Sequence, residues 1–505
     1  MYFPGGFTTI EQVLKALHTK PERYWIERGE RRALGLFHQM AERVPAYKDF
    51  LKKNKVNPDK IKTIHDFGYI PSVSKDSYLK KYPLEKLCWD GKLKQRQWTI
   101  STTSGSTGVP FYFPREQEQD WQYAFTAELY LRTNYQIHKR STLYIDAFPM
   151  GPWIGGVFTY EAIRLVAERG KYPLSIITTG INKTEIIKAV QRFGRSFDQI
   201  LIGSYGPFLK DTLDEGKRQG VRWRDYNLGF IFSAEGFSET FRDYVLHTAG
   251  LAGSFTATLN HYGTVDLGTM AHETPLSVLL RRQALKHPSL YKYLFRGSNK
   301  LPTLCQYMPE MFYFEDINGD LYCSAYSGIP LVRYNLKDHG GVWSSTEALT
   351  HFKSLRVDVS RELSSKGIDS TLWNLPLVYV YERSDFSVSF YAFIIYPETI
   401  RKALDDRMVG AFISGKFTMM VEYNKQKDQV LQIHVELKPG IKESERFRDH
   451  ITQAIVRSLL RDSSEYYKTY QEIGERAHPQ IIFWPYEHST YFTPGVKQKW
   501  VVKPK

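Results

Sequence analysis

Apolar residues return at helical spacing near the N-terminus, at Ile10, Val13, Leu14 and Leu17, then at Leu34, Leu36, Phe37, Met40 and Val44 across a charged stretch. The spacing predicts helices over 7–45, with the second ended by Pro45. Between Tyr47 and Pro83 short apolar patches mix with lysines, which predicts helical turns laid over a core with the lysines in solvent. From Thr142 the pattern alternates. Strand-like runs at 142–147, 174–178, 200–203, 228–233 and 255–259 are separated by helical runs at 157–169, 183–193, 207–216 and 239–248. Strands alternating with helices through short links predict an α/β sheet covered on both faces. Ligands collect at the carboxyl ends of such strands, here the loops 148–153, 179–180, 204–206, 234–236 and 260–266.

Residues 276–305 are richer in basic side chains and read as an insertion or a cover. A hairpin follows over 312–322, turning at Asn318-Gly319, then strands at 330–334 and 375–380. After Asp385 the pattern becomes α+β, with a helix at 397–404, strands at 417–423 and 430–437, a helix at 443–460 and a strand at 480–484. The expected fold is a large α/β N-terminal domain, 1–384, followed by a small α+β C-terminal domain, 385–505.

A chain of 505 residues that is 42% hydrophobic and 24% charged suits folded domains and excludes a disordered protein. No apolar run approaches the ~20 residues of a spanning helix, and the first residues carry no basic, apolar leader. The three cysteines, Cys88, Cys305 and Cys323, lie far apart, which fits a reducing cytoplasm. With His272 they are of ligand type, but no C-x-x-C pair accompanies them, which argues against zinc. No Gly-x-Ser-x-Gly elbow marks a serine hydrolase. The net charge of +14 favours anionic partners such as nucleotides, coenzyme A or an acidic carrier protein. It is dispersed and carries no nucleic-acid-binding signature, so no nucleic-acid partner is expected.

One stretch concentrates candidate chemistry: Ser101, Thr102, Thr103, Ser104, Gly105, Ser106, Thr107 and Gly108, followed by Val109-Pro110. Small residues let backbone amides curl toward an anion, and hydroxyls add donors, which makes a nest for a polyphosphate. The alternative is a solvated Ser/Gly linker. Strand-like runs at 97–100 and 111–113 bracket the stretch and favour the nest. No Gly-Lys-Ser/Thr follows, so it is not a Walker loop.

Further motifs follow in order. They are Val44-Pro45-Ala46-Tyr47, Ile70-Pro71-Ser72-Val73-Ser74-Lys75-Asp76, Tyr262-Gly263-Thr264-Val265-Asp266, Arg333-Tyr334-Asn335-Leu336-Lys337-Asp338, Arg383-Ser384-Asp385 and Pro494-Gly495-Val496-Lys497. Together with the hydroxyl-rich loop, this series resembles the adenylate-forming superfamily of acyl- and aryl-CoA ligases, most of all the phenylacetate–CoA ligase family, over nearly the whole chain.

The resemblance implies an ATP-dependent, AMP-forming ligase. A carboxylate would react with ATP to give acyl-AMP and pyrophosphate, and the acyl group would pass to the coenzyme A thiol. Ser101 to Gly108 would clasp the β- and γ-phosphates, Thr264 would reach the α-phosphate, and Asp266, where the family has glutamate, would hold Mg2+. Tyr262 and Gly263 would lie against the adenine, which Ala234, Glu235 and Gly236 would line. Asp338 would bind the ribose, Arg383 would contact the nucleotide, and Asp385 would be the pivot of a mobile C-terminal domain. Lys497 would carry adenylation, with Lys499 its rival two positions on. The acid would be aryl or arylalkyl, in a pocket of Tyr144, Asp146, Phe148, Met150, Trp153, Tyr205 and Pro207. Two departures bear on the second step: Ala392 stands at the glycine expected to let pantetheine pass, and Glu382 replaces a common glycine. Alternatives are transfer to an amine or a carrier protein, or a non-catalytic nucleotide-binding protein of the same fold.

Overall fold

The computed structural model describes residues 3–103, 110–295, 301–383, 387–404, 409, 412–488, 491–492 and 501. Strands β1 (Thr99–Thr102) and β2 (Tyr112–Arg115) form an antiparallel ribbon around the hydroxyl-rich stretch, in the register Thr102 to Tyr112. Strands β3 (Thr142–Asp146), β4 (Leu174–Thr178), β5 (Gln199–Ser204), β6 (Leu228–Phe232) and β7 (Thr258–Thr264) pair in parallel, in the order β4-β3-β5-β6-β7. Strands β8 (Gly268–His272), β9 (Thr303–Tyr307), β10 (Phe312–Ile317), β11 (Asp320–Ala325), β12 (Leu331–Trp343) and β13 (Leu377–Arg383) extend it by antiparallel pairing. The result is one eleven-stranded mixed sheet, β10-β11-β12-β13-β9-β8-β7-β6-β5-β3-β4.

Strands β3, β5 and β6 are buried along their whole length, because helices cover both faces. One face packs on the helices Gln117–Tyr135 and Ile154–Gly170 through Tyr130, Leu131, Ile163 and Val166. The other packs on Lys183–Phe193, Gly206–Arg218 and Glu239–Thr248. The first and last of these start on side-chain caps, Asn182 accepting from the Glu185 amide and Ser238 from that of Phe241.

The C-terminal part holds a short hairpin, β14 (Val388–Phe390) and β15 (Phe393–Ile395), and a three-stranded sheet. That sheet consists of β16 (Ile413–Tyr423), β17 (Gln429–Leu437) and β18 (Gln480–Trp484), backed by the helices Glu445–Asp462 and Ser464–Ile473. Its apolar residues join the cluster on the second face of the large sheet. The pivot expected at Asp385 lies outside the described residues.

The second helix ends at Arg43, before Pro45 as expected, and Pro45 then opens a further helix, Pro45–Lys53, because proline is well placed in a first helical turn. Other expectations need correction. The expected loop at 260–266 is mostly strand: β7 continues through Thr264 and turns back into β8. The basic stretch is built in as well, since Arg281 is buried in an ion cluster with Glu273 and Glu239.

Candidate functional site

The carboxyl ends of β3, β5, β6 and β7 deliver the segments that the motif series singled out. Tyr262, on β7, donates its hydroxyl to Asp338 Oδ2 at 2.7 Å, and both residues are buried. Phe314 stacks on the Tyr262 ring at 6.1 Å, which fixes the ring plane. Gly263 is needed where it stands, since a Cβ there would meet the Gly268 carbonyl at 2.6 Å. Thr264, at the strand end, is half-buried and accepts from the Leu267 amide at 3.3 Å.

Asp266 follows in the hairpin turn. Its Oδ2 accepts from the Tyr334 hydroxyl at 2.5 Å, and its Oδ1 lies 3.2 Å from Lys75 Nζ. The run from Arg333 to Asp338 therefore does three jobs. Arg333, at φ +50°, pairs with Glu315 and donates to the Phe67 and Ile70 carbonyls, which ties the N-terminal segment to β12. Tyr334 holds Asp266, and Asp338 receives Tyr262. A backbone bridge between Val73 and Tyr334, with Val73 bonded to Arg333 and Asn335, brings Lys75 into place. Lys75 is thus an ion-pair partner and not a solvated lysine. With Oδ1 beside an ammonium and Oδ2 capped by a hydroxyl, Asp266 as it stands does not fit a magnesium ion, which prefers a shell of unencumbered oxygens.

At the base of the hydroxyl-rich stretch the described hydroxyls are used internally. Ser101 Oγ accepts from Arg115 at 2.8 Å, Thr102 Oγ1 bonds to the Thr103 carbonyl at 3.1 Å, and Thr103 Oγ1 accepts from the Phe111 amide at 3.0 Å. The Thr102 amide donates to the Pro152 carbonyl at 2.8 Å, joining this base to the 148–153 loop. Ser104, Gly105, Ser106, Thr107 and Gly108 lie outside the described residues, as do Lys497 and Lys499. Only the backbone of Arg383 is described, and it pairs in register with Asp338.

The 234–236 loop leaves β6 through Ala234, at φ +75°. Its Glu235 carbonyl accepts from Asn260 at 2.9 Å, and Glu235 Oε2 accepts from Gln429 of β17 at 2.6 Å. Gly236 passes close to Thr303, where a Cβ would lie 2.8 Å from the hydroxyl. Just beyond, the Phe237 carbonyl accepts from Arg281 at 2.7 Å. A buried cluster of Arg242, Arg281, Glu239 and Glu273 therefore underpins this loop.

Of the expected acyl-pocket residues, Tyr144, Phe148, Trp153 and Tyr205 come together. Phe148 packs edge-on against Tyr205 at 5.6 Å, and Tyr144 Oη lies where a Cβ on Gly203 would be 2.2 Å away. The Tyr144 hydroxyl and Asp146 Oδ2 are buried with no hydrogen-bond partner among the described residues. Burial pushes the Asp146 carboxyl well above the ordinary carboxylate range, against the pull of the Phe148 amide.

Trp153 and Tyr205 also wall a narrow cleft shared with the C-terminal part, lined there by Tyr391, Ala392, Glu465 and Lys468. Tyr391 and Ala392 form the two-residue turn between β14 and β15, at φ +46° and +68°. That left-handed turn is what a glycine would favour. The Tyr391 amide donates to Gln429 Oε1 at 2.6 Å, and its hydroxyl donates to Asp211 at 3.0 Å. Lys468 sits 4.5 Å from the Trp153 ring centroid and donates to the Met150 carbonyl at 3.1 Å. Glu465, one turn earlier, makes no side-chain hydrogen bond or ion pair with the described residues. It lines the cleft and is half-buried, and burial pushes its carboxyl up to about 7. Sequence reasoning missed Lys75, Gln429, Glu465 and Lys468; a Ser463 cap followed by Glu465 and Lys468 at i, i+3 was the available signal.

No protein-family model and no curated protein matches the sequence. Solved structures do match. The crystal structure of 2-hydroxyisobutyryl-CoA ligase in complex with 2-HIB-AMP and CoA in the thioesterification state aligns with a TM-score of 0.64 at 13% identity, over 100% of this chain and 95% of that one. The same ligase in an open conformation gives 0.54 at 12% identity, over 99% and 97%. Its postadenylation state with 2-HIB-AMP gives 0.54 at 13%, over 100% and 95%. The fold is that of the adenylate-forming ligases.

Proposed function

We propose that this chain activates a carboxylic acid with ATP, forming acyl-AMP and pyrophosphate, and then passes the acyl group to a nucleophile. The observation that carries the reading is the buried Tyr262–Asp338 pair beside the Lys75–Asp266–Tyr334 group, at the end of β7 and along β12. A carboxylate is a poor electrophile, and adenylation supplies a leaving group. The task is to hold a polyanion, align a second anion and stabilise charge at the α-phosphate, so positioning and electrostatics supply most of the rate.

In this reading Tyr262 and the 234–236 loop hold the adenine, Asp338 accepts from the ribose hydroxyls, Thr264 donates to the α-phosphate, and residues 104–108 clasp the terminal phosphates. Lys497, or Lys499, places an ammonium between carboxylate and α-phosphate. Arg383 contacts the nucleotide, and the C-terminal part turns about Asp385 between the two steps. The aromatic set Tyr144, Phe148, Trp153 and Tyr205 supports an aryl or arylalkyl acid, as the phenylacetate–CoA ligase-like motif series does. The acceptor is either the coenzyme A thiol or an amine. Ala392, whose methyl group narrows the cleft, favours the amine. Carboxylate-dependent exchange of pyrophosphate into ATP tests the first step: exchange with at least one acid supports the reading, and none across a broad acid panel refutes it.

A further inference from the structure

Polar contacts join the C-terminal part to the large sheet. Arg476 donates to Asp211 at 2.6 Å and to the Tyr391 hydroxyl at 2.9 Å, and Lys210 pairs with Asp428. Lys210 and Asp211 belong to the helix Gly206–Arg218, so these bonds fasten the two parts without touching the segments assigned to the nucleotide. Gln429, the first residue of β17, makes a different contact. It is buried and uses both ends of its amide. Oε1 accepts from the Tyr391 amide at 2.6 Å. Nε2 donates to Glu235 Oε2 at 2.6 Å and to the Tyr423 hydroxyl at 3.2 Å. Glu235 is the middle residue of the 234–236 loop, which the adenylation reading sets against the adenine. That loop starts at Ala234, held at φ +75°, a left-handed conformation that alanine does not favour. Such a backbone persists only where its surroundings hold it. The large sheet holds the loop's main chain: Asn260 donates to the Glu235 carbonyl at 2.9 Å and Arg281 to the Phe237 carbonyl at 2.7 Å. The C-terminal part holds the Glu235 carboxyl, through Gln429.

We infer that Gln429 is a positioning residue for the nucleotide site. It holds the 234–236 loop through Glu235, so that adenine binding and the seating of the C-terminal part on the large sheet are coupled. This rests on the adenylation reading above. With the Glu235 carboxyl anchored, the loop meets the base already ordered, and binding does not bear the entropy of ordering it. The coupling is reciprocal: an adenine nucleotide that orders the loop strengthens the seating of the C-terminal part by the same factor. Because Gln429 also holds the Tyr391 amide, the loop and the Tyr391–Ala392 turn answer to one side chain.

The test measures binding of AMP and of adenosine to the full chain by calorimetry, in wild type, Gln429→Leu, Gln429→Glu and the reciprocal double variant Glu235→Gln/Gln429→Glu. Gln429→Leu removes the bonds to Glu235 and Tyr391. Gln429→Glu keeps an acceptor for the Tyr391 amide and sets a second carboxyl against Glu235. Each should weaken both ligands about 10-fold, the loss of a hydrogen bond to a carboxyl. AMP and adenosine should suffer alike, because the loop meets the base and not the phosphate. The double variant exchanges donor and acceptor and should return both affinities to within about 2-fold of wild type, which a general loss of folding would not allow. Single variants that bind as wild type does, a loss confined to AMP, or a double variant as weak as the single ones overturns the inference alone. A wild type that binds neither AMP nor adenosine overturns the adenylation reading, and this inference with it.

Discussion

Replacing Lys75 by methionine tests whether Asp266 is held by an ion pair. The Asp266 side chain is 7% exposed and that of Lys75 31%, with 3.2 Å between Nζ and Oδ1. Removing one partner of a buried pair costs about 3–5 kcal/mol, because the other charge stays buried and uncompensated. Water reaches Lys75 and screens part of the attraction, so about 2–3 kcal/mol is expected for Lys75→Met. Asp266→Asn should cost a similar amount. The double variant keeps a neutral amide that Tyr334 can still bond, so it should cost little more than either single change. That is a coupling energy of about 1.5 kcal/mol or more, far above the roughly 0.5 kcal/mol scatter of independent sites. Urea unfolding of the four proteins, followed by tryptophan fluorescence, measures the cycle. Single-variant costs that add within that scatter would refute the pairing.

Tyr262→Phe leaves the Asp338 carboxylate without its 2.7 Å donor and should raise KM for ATP in pyrophosphate exchange about 10-fold, a hydrogen bond to a charged group contributing about 1.5–3 kcal/mol. Asp338→Asn should raise it further, and a KM equal to wild type in both would remove these residues from the nucleotide site. Ala392→Gly relieves a left-handed alanine that costs about 1 kcal/mol, so thermal stability should rise slightly, and thioester yield with coenzyme A should rise as the methyl group leaves the cleft. Burial pushes the Glu239 carboxyl up, but Arg242 and Arg281 outweigh it and hold it at about 2. A depressed carboxyl adds stability that is complete above its unfolded value near 4.5 and is lost as pH falls toward 2. Burial lowers His261 to about 3 and His272 to about 4, so the stability of these neutral rings is complete above about 6.5 and declines as pH falls below it. Urea midpoints should therefore fall steadily from pH 6.5 downward, and the Glu239→Gln protein should show a shallower fall below pH 4.5.

The parallel strands were legible because each is a short apolar run between turn residues, and the helices 183–193 and 239–248 because each buries one face only. The helix Gln117–Tyr135 escaped notice for the opposite reason: it is buried on nearly all sides, so its apolar residues show no one-sided period. The order of the motifs pointed to Tyr262, Asp266 and Asp338, yet not to what they touch. The Lys75–Asp266 pair joins residues 191 positions apart, and only the bridge of Val73 to Tyr334 brings them together. Ala392 was visible as a departure from glycine, but its left-handed backbone is set by the β14–β15 turn, and its place beside Trp153 and Tyr205 depends on how that turn packs against the large sheet.

The central claim is carboxylate activation on ATP. The most direct measurement is exchange of labelled pyrophosphate into ATP by the purified full chain, with and without each member of a panel of aryl, arylalkyl and aliphatic acids. The account predicts exchange that requires an acid, is strongest with an aromatic one, and falls about 10²-fold in Lys497→Ala or Lys499→Ala, whichever lysine serves. Exchange absent with every acid, or present at the same rate without any acid, would contradict it.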